Sequence, residues 1–182
     1  MARDPEMTKK RLLDAAVGEF ASHGFAGARI DRIAALAETN KRMIYAYFGN
    51  KEELFEKVVA HSLQGLLDTV PVRPDDLPRY AGELFDYLVA HPERRRLALW
   101  RQLEDPTPTP AERESTRDKL DHIAEARPDD TALSPAAMLA FVMAIVQAWP
   151  NASGGLTEQG RAGTAEQRAS VVEAVRRLAR TA

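Results

Sequence analysis

The sequence predicts an all-α protein in two parts, a three-helix N-terminal module and a C-terminal helical bundle. Apolar residues recur at helical spacing in almost every segment, and no stretch keeps the period of two that a half-buried strand requires. Capping residues, glycines and prolines fall at the ends of those segments rather than inside them. With 45% apolar and 29% charged residues in 182, the chain can bury a substantial core.

Taken in order, Thr8 is placed to cap a first helix whose stripe is Leu12, Leu13, Ala16, Val17 and Phe20, and Gly24 to end it. A short helix over 30–37 presents Ile30, Ile33, Ala34 and Ala37 on one face. A second short helix runs over 41–48, with Thr39 or Asn40 as its cap. Asn50-Lys-Glu-Glu53 forms a capping box that opens a fourth helix to about Asp68. Pro71 to Pro78 then breaks the chain and marks the seam between the two halves. Further helices are predicted over 77–90, 93–103 and 110–126. Ser134-Pro135 starts another that is apolar on all sides through Trp149. Pro150 to Gly163 reads as a loop, and a closing helix over 164–180 turns Val171, Val172, Val175 and Leu178 inward.

Composition excludes several functions. There is no cysteine, hence no disulfide framework, zinc–thiolate site or thiol nucleophile, in keeping with a reducing cytoplasm. The charged N-terminus lacks the apolar run of a signal peptide. The longest apolar run, Ala136 to Trp149, is too short for a bilayer span and contains Gln147, so no membrane partner is expected. Net charge is only −2, but it is unevenly placed: residues 1–51 carry nine cations against six acids, a net of +3, leaving −5 for the rest. A basic end on an acidic body suits a part that meets phosphate.

The stretch TNKRMIYAYFGNKEELF, Thr39 to Phe55, combines adjacent cations with aromatic residues. Neither a buried nor a solvated helix uses both. Two short helices joined through Glu38 to Asn40 have the layout of a helix-turn-helix, whose second helix enters the major groove. Ile44 and Phe48, at i and i+4, then face a small core with Ile33 and Phe25. Lys41, Arg42, Met43, Tyr45 and Tyr47 are left facing outward, and Lys51 sits at the next helix N-terminus, where an anion is favoured.

The run RLLDAAVGEFASHGFAGARIDRIAALAETNKRMIYAYFGNKEELF resembles the DNA-binding region of TetR-family bacterial transcriptional regulators, over about Thr8 to Val59. The resemblance implies a DNA-binding domain over 1–50 and a ligand-binding and dimerisation domain over 51–182. It implies a homodimer on a palindromic double-stranded operator, repressing until a small-molecule effector releases it. No cofactor is implied. At matching positions it assigns recognition-helix contacts to Lys41, Arg42, Met43 and Tyr45, and phosphate contacts to Tyr47 and Lys51, with Arg29 a further phosphate candidate. The chain departs from the pattern where Ala28 and Arg29 replace Thr or Ser, removing a side-chain cap worth about 1 kcal/mol. Glu38 stands where Gly is usual, a strained choice if that turn needs positive φ. Asp31, on the operator side, requires a cation such as Arg29 or Arg32.

In the second half, Phe85, Trp100, Met138 and Phe141 are candidate effector contacts, and core packing accounts for them equally well. The Ala- and Met-rich side of the helix over 136–149, together with Val171, Val175 and Leu178, is expected to form a two-fold four-helix interface. The four histidines have no metal spacing, and no serine elbow or Gly-rich phosphate loop suggests a catalytic site. The alternatives are a small-molecule-binding or adaptor protein without an operator and, with less support, an α-helical enzyme.

Overall fold

The computed structural model describes residues 5–104, 107–127, 133–156 and 163–180, and among these it contains helices and no strand. The helices are α1 (Pro5–Gly27), α2 (Ile30–Leu36), α3 (Lys41–Phe48), α4 (Lys51–Thr69), α5 (Leu77–Ala90), α6 (Pro92–Glu104), α7 (Pro110–Ala126), α8 (Pro135–Ala148) and α9 (Thr164–Arg180). Of the loop expected over Pro150 to Gly163, residues 154–156 are instead helical, and residues 157–162 lie outside the described residues. No described helix is long and apolar enough to cross a membrane.

Most boundaries follow local chemistry. Asn50 and Glu53 close the capping box reciprocally: the Glu53 amide donates to Asn50 Oδ1 at 2.8 Å and the Asn50 amide to Glu53 Oε2 at 3.2 Å. Ser134 Oγ accepts from the Ala137 amide at 3.2 Å, with Pro135 at the first helical position. Thr8 differs from expectation. The first helix begins at Pro5, and Thr8 is buried within it rather than capping it. Proline at a helix start needs no amide partner, so the helix extends upstream of the apparent cap.

The chain forms two compact units, Met1–Leu66 with His91–Glu112 and Leu67–Ala90 with Arg113–Ala182. In the first, the core runs from Leu12, Ala16 and Phe20 of α1 through Ile33, Ile44 and Phe48 to Leu54 and Val58 of α4, and includes Leu97 of α6. Phe20, Phe25 and Phe55 form an edge-to-face cluster, with Phe55 4.9 and 5.4 Å from the other two rings. His61 of α4 meets Asp14 of α1 at 2.7 Å. The three-helix module expected to end at residue 50 thus packs with α4 as far as Leu66 and with α6.

Gly24 is where α1 bends. Its φ of 66° and ψ of −179° lie outside the helical region. The freed Phe25 amide donates to both carboxylate oxygens of Glu104 on α6 at 3.0 Å, and Trp100 Nε1 donates to Ala21 O at 3.3 Å.

In the second unit α5 packs against both α8 and α9, which also touch each other. Leu84 and Phe85 of α5, Met138, Val142 and Val146 of α8, and Val171 and Val175 of α9 are all buried. Arg168 of α9 pairs with Asp86 of α5 at 2.8 Å. Two expectations change here. Val171 and Val175 are only 2% and 0% exposed, consumed inside their own unit, and so do not form a face for a partner. The α8 helix buries one stripe, Met138–Val142–Val146, and leaves Ala136, Ala140, Phe141, Ala144 and Ala148 exposed on the other side.

A Cβ on Gly24 would lie 3.0 Å from Glu104 Oε1 and 3.1 Å from Trp100 Cε3, in a backbone region that disfavours side chains. Gly24→Ala should therefore cost about 2 kcal/mol in chemical denaturation. An unchanged midpoint would show that the bend is not needed.

Candidate nucleic-acid interface

The shortest helices of the first unit must be positioned by their neighbours. Asn40 has extended backbone and its side chain accepts from the Met43 amide at 3.1 Å, which fixes the start of α3. Between α2 and α3, Glu38 takes a φ of 51°, the left-handed conformation that glycine adopts freely. The sequence expectation of a strained glutamate at this turn is met.

The start of α2 is held by a residue the sequence reading missed. Arg29 occupies the cap position without a side-chain cap bond. Glu19, on α1 and only 4% exposed, accepts from the Arg29 amide at 2.8 Å and from Arg32 Nε at 2.8 Å. Arg32 also donates to Gly27 O at 2.8 Å. One carboxylate therefore caps α2 in place of the absent Ser or Thr and fastens it to α1. Burial alone would raise the Glu19 pKa, but the hydrogen bonds from Arg32 and the Arg29 amide, with the Arg32 charge, hold it below its ordinary 4.5. The available signal was an acid ten residues ahead of an uncapped helix.

The α3 helix divides as its spacing implies. Ile44 and Phe48 are buried, while Lys41, Arg42 and Tyr45 are exposed and Met43 is half-buried. Tyr47 is half-buried, packed against the core with its ring 6.0 Å from that of Phe48. Lys51 Nζ sits 4.9 Å over the Phe25 ring and donates to Ala26 O at 3.4 Å, which places its charge at the start of α4. Asp31 is neutralised differently from expectation. Lys41 pairs with it at 3.4 Å, because Arg32 is already committed to Glu19. Exposed Arg29 and Arg42 carry no ion pair or side-chain hydrogen bond among the described residues.

Lys41, Arg42 and the phenols of Tyr45 and Tyr47 thus sit on an eight-residue helix with an apolar back, with Lys51 at the start of α4 and Arg29 at the start of α2. Such a surface can donate to phosphates and to base edges. The four candidate effector contacts are divided between the two units. Trp100, on α6, belongs to the first unit, where its Nε1 donates to Ala21 O of α1. Phe85 and Met138 are 0% and 1% exposed in the core of the second, and Phe141 is 47% exposed on α8. Among the described residues no group of three or more His, Asp or Glu could hold a metal ion.

Residues 12–58 match the family described as "Bacterial regulatory proteins, tetR family", and residues 76–177 match "Tetracyclin repressor-like, C-terminal domain". The chain is 43% identical to the HTH-type transcriptional repressor SCO4008 of Streptomyces coelicolor, covering 97% of both chains. It is 38% identical to the repressor NicS of Pseudomonas putida over 50% of this chain and 47% of that one. Its fold is similar to that of the solved structure of SCO4942 from Streptomyces coelicolor. That match has a TM-score of 0.84 and 36% identity, and covers 94% of this chain and 97% of the other.

Because a lowered carboxyl pKa stabilises the folded state only while the group is ionised, the Glu19 contribution is present above about pH 4.5 and disappears as pH falls through its lower folded value. Glu19→Gln should cost about 1–2 kcal/mol at neutral pH and flatten the acid limb of the stability curve. Wild-type acid behaviour in Glu19→Gln would refute this role.

Proposed function

The chain belongs to the TetR family of bacterial regulatory proteins, and from that premise we propose that it binds a palindromic operator as a homodimer and is released by a small-molecule effector. It is a DNA-binding helix-turn-helix transcriptional repressor and not an enzyme. The observation that carries the reading is the open Lys41–Arg42–Tyr45 edge of α3, backed by buried Ile44 and Phe48. Arg42, exposed and without a protein partner among the described residues, takes base edges. Lys41, Met43 and Tyr45 border it in the major groove, Lys41 leaving Asp31 for the DNA. Arg29, Tyr47 and Lys51 take phosphates, the last at the first turn of α4.

A homodimer presents two such helices about 34–36 Å apart, one DNA turn. The exposed apolar side of α8, Ala136, Ala140, Phe141, Ala144 and Ala148, supports that assembly, since an apolar face of this extent asks to be covered. Effector control requires two states of different helix spacing, the effector preferring the one that misfits DNA. The covalent route to the first unit includes α4, which begins at Lys51 and ends at Thr69. The site of action is the cytoplasm, where the operator is.

Selecting binders from a random duplex library tests binding, symmetry and spacing together. Inverted half-sites one turn apart are expected, and failure to enrich any sequence would contradict the reading. On the selected duplex, Arg42→Ala should lose about 1–3 kcal/mol and relax base preference. Lys51→Ala should weaken all sequences alike and reduce the salt slope by about one. Equal losses on operator and random DNA for both variants would refute these roles. Sedimentation at micromolar concentration should give a dimer, and monomer alone would count against the α8 interface.

A further inference from the structure

The α7 helix turns one face inward. Ser115, Lys119 and Ile123 follow one another at i, i+4 and i+8, and Ser115 and Ile123 are only 9% and 2% exposed. Thr116 to Asp118 and Asp121 to His122, on the other sides, are exposed. Ser115 Oγ is buried without a hydrogen-bond partner among the described residues. Lys119 lies between two buried residues, half-buried itself, and burial pushes its ammonium pKa down.

Nothing among the described residues answers that charge. The helical neighbours of Lys119 at three and four residues are Ser115, Thr116, His122 and Ile123, none of them an acid. Elsewhere in the second unit Glu83 is held by Arg73 and Arg79, Asp86 by Arg168, and Glu173 by Arg176 and Arg177. Tyr80 is buried, but burial pushes its phenol up, so it brings no negative charge near neutral pH. A desolvated cation without a counter-ion, one helical turn from an unsatisfied buried hydroxyl, is costly, and native structures keep such groups for a reason.

We propose that the Ser115–Lys119 face of α7 is the effector site, and that the effector is a small organic carboxylate with an apolar body. The ammonium counters the single negative charge, and the hydroxyl donates to a carboxylate oxygen. One cation and one hydroxyl match a monoanion, and buried Ile123, next along the same face, makes its surroundings apolar. The inference rests on the reading of the chain as an effector-released regulator and supplies that effector's chemical class.

The full-length protein is titrated with butanoate, hexanoate, octanoate, decanoate, benzoate and phenylacetate and with the matching amides, reading the thermal midpoint. At least one carboxylate should raise it where its amide does not. Lys119→Met should weaken that response roughly tenfold or more without lowering the unliganded midpoint, and Lys119→Arg should keep part of it. Ser115→Ala should weaken it by a smaller factor. Equal shifts by the amides, an undiminished response in Lys119→Met, or no response to any of these carboxylates would overturn the proposal. Retention of the selected duplex on the same samples separates the two readings. Salt-dependent retention without a carboxylate response removes only the site. Loss of retention at low salt removes the regulator reading and leaves the ligand result standing.

Discussion

An eight-residue helix cannot hold itself together in water, because nucleation costs more than so few hydrogen bonds return. The helix α3 is that short, and α2 is shorter still. Their order comes from α1, which supplies the apolar surface of Leu12, Ala16 and Phe20 and a single buried acid, Glu19. By accepting from the Arg29 amide and from Arg32, that carboxylate fixes where α2 starts. The position of α3 then follows from the turn at Glu38 and the core contacts of Ile44 and Phe48. A surface that reads DNA must be held rigidly from behind, since a small displacement of a base-contacting side chain breaks its hydrogen-bond geometry.

The same arrangement divides the cations. Arg32 is committed inward to Glu19, and Lys41 is shared with Asp31. Arg29 and Arg42 face outward with no protein partner among the described residues. This separates residues that build the module from residues available to a ligand, a distinction charge counting along the chain does not make. Lys51 is intermediate, steadied over Phe25 yet placed at a helix start where its charge opposes the backbone dipole until an anion arrives.

Local chemistry was legible in the sequence. The Asn50–Glu53 capping box, the Ser134-Pro135 start, the Asn40 cap and the buried Ile44–Phe48 pair all follow from residue types at fixed short spacings. The family pattern placed the helix-turn-helix for the same reason. Long-range partnerships were not legible. Nothing in PERRRLALWRQLE says that Trp100 and Glu104 reach α1, so the sequence left Trp100 open between effector contact and packing and did not reveal its bond to Ala21 beside the bend at Gly24. Likewise Val171 and Val175 have the spacing of a buried face, but spacing cannot say whether the cover is the same chain or another. Thr8 failed as a cap because proline can open a helix upstream of it.

The first unit leaves charge outside on a braced surface, and among the described residues the second leaves the Lys119 ammonium and the Ser115 hydroxyl unanswered. The central claim is that α3 lies in the major groove of a two-fold site. Methylation interference on the selected duplex tests it most directly, because methylating guanine N7 blocks the major groove alone. The account predicts interference in two patches about 34–36 Å apart, on inverted half-sites. Binding that survives N7 methylation throughout the duplex would contradict it.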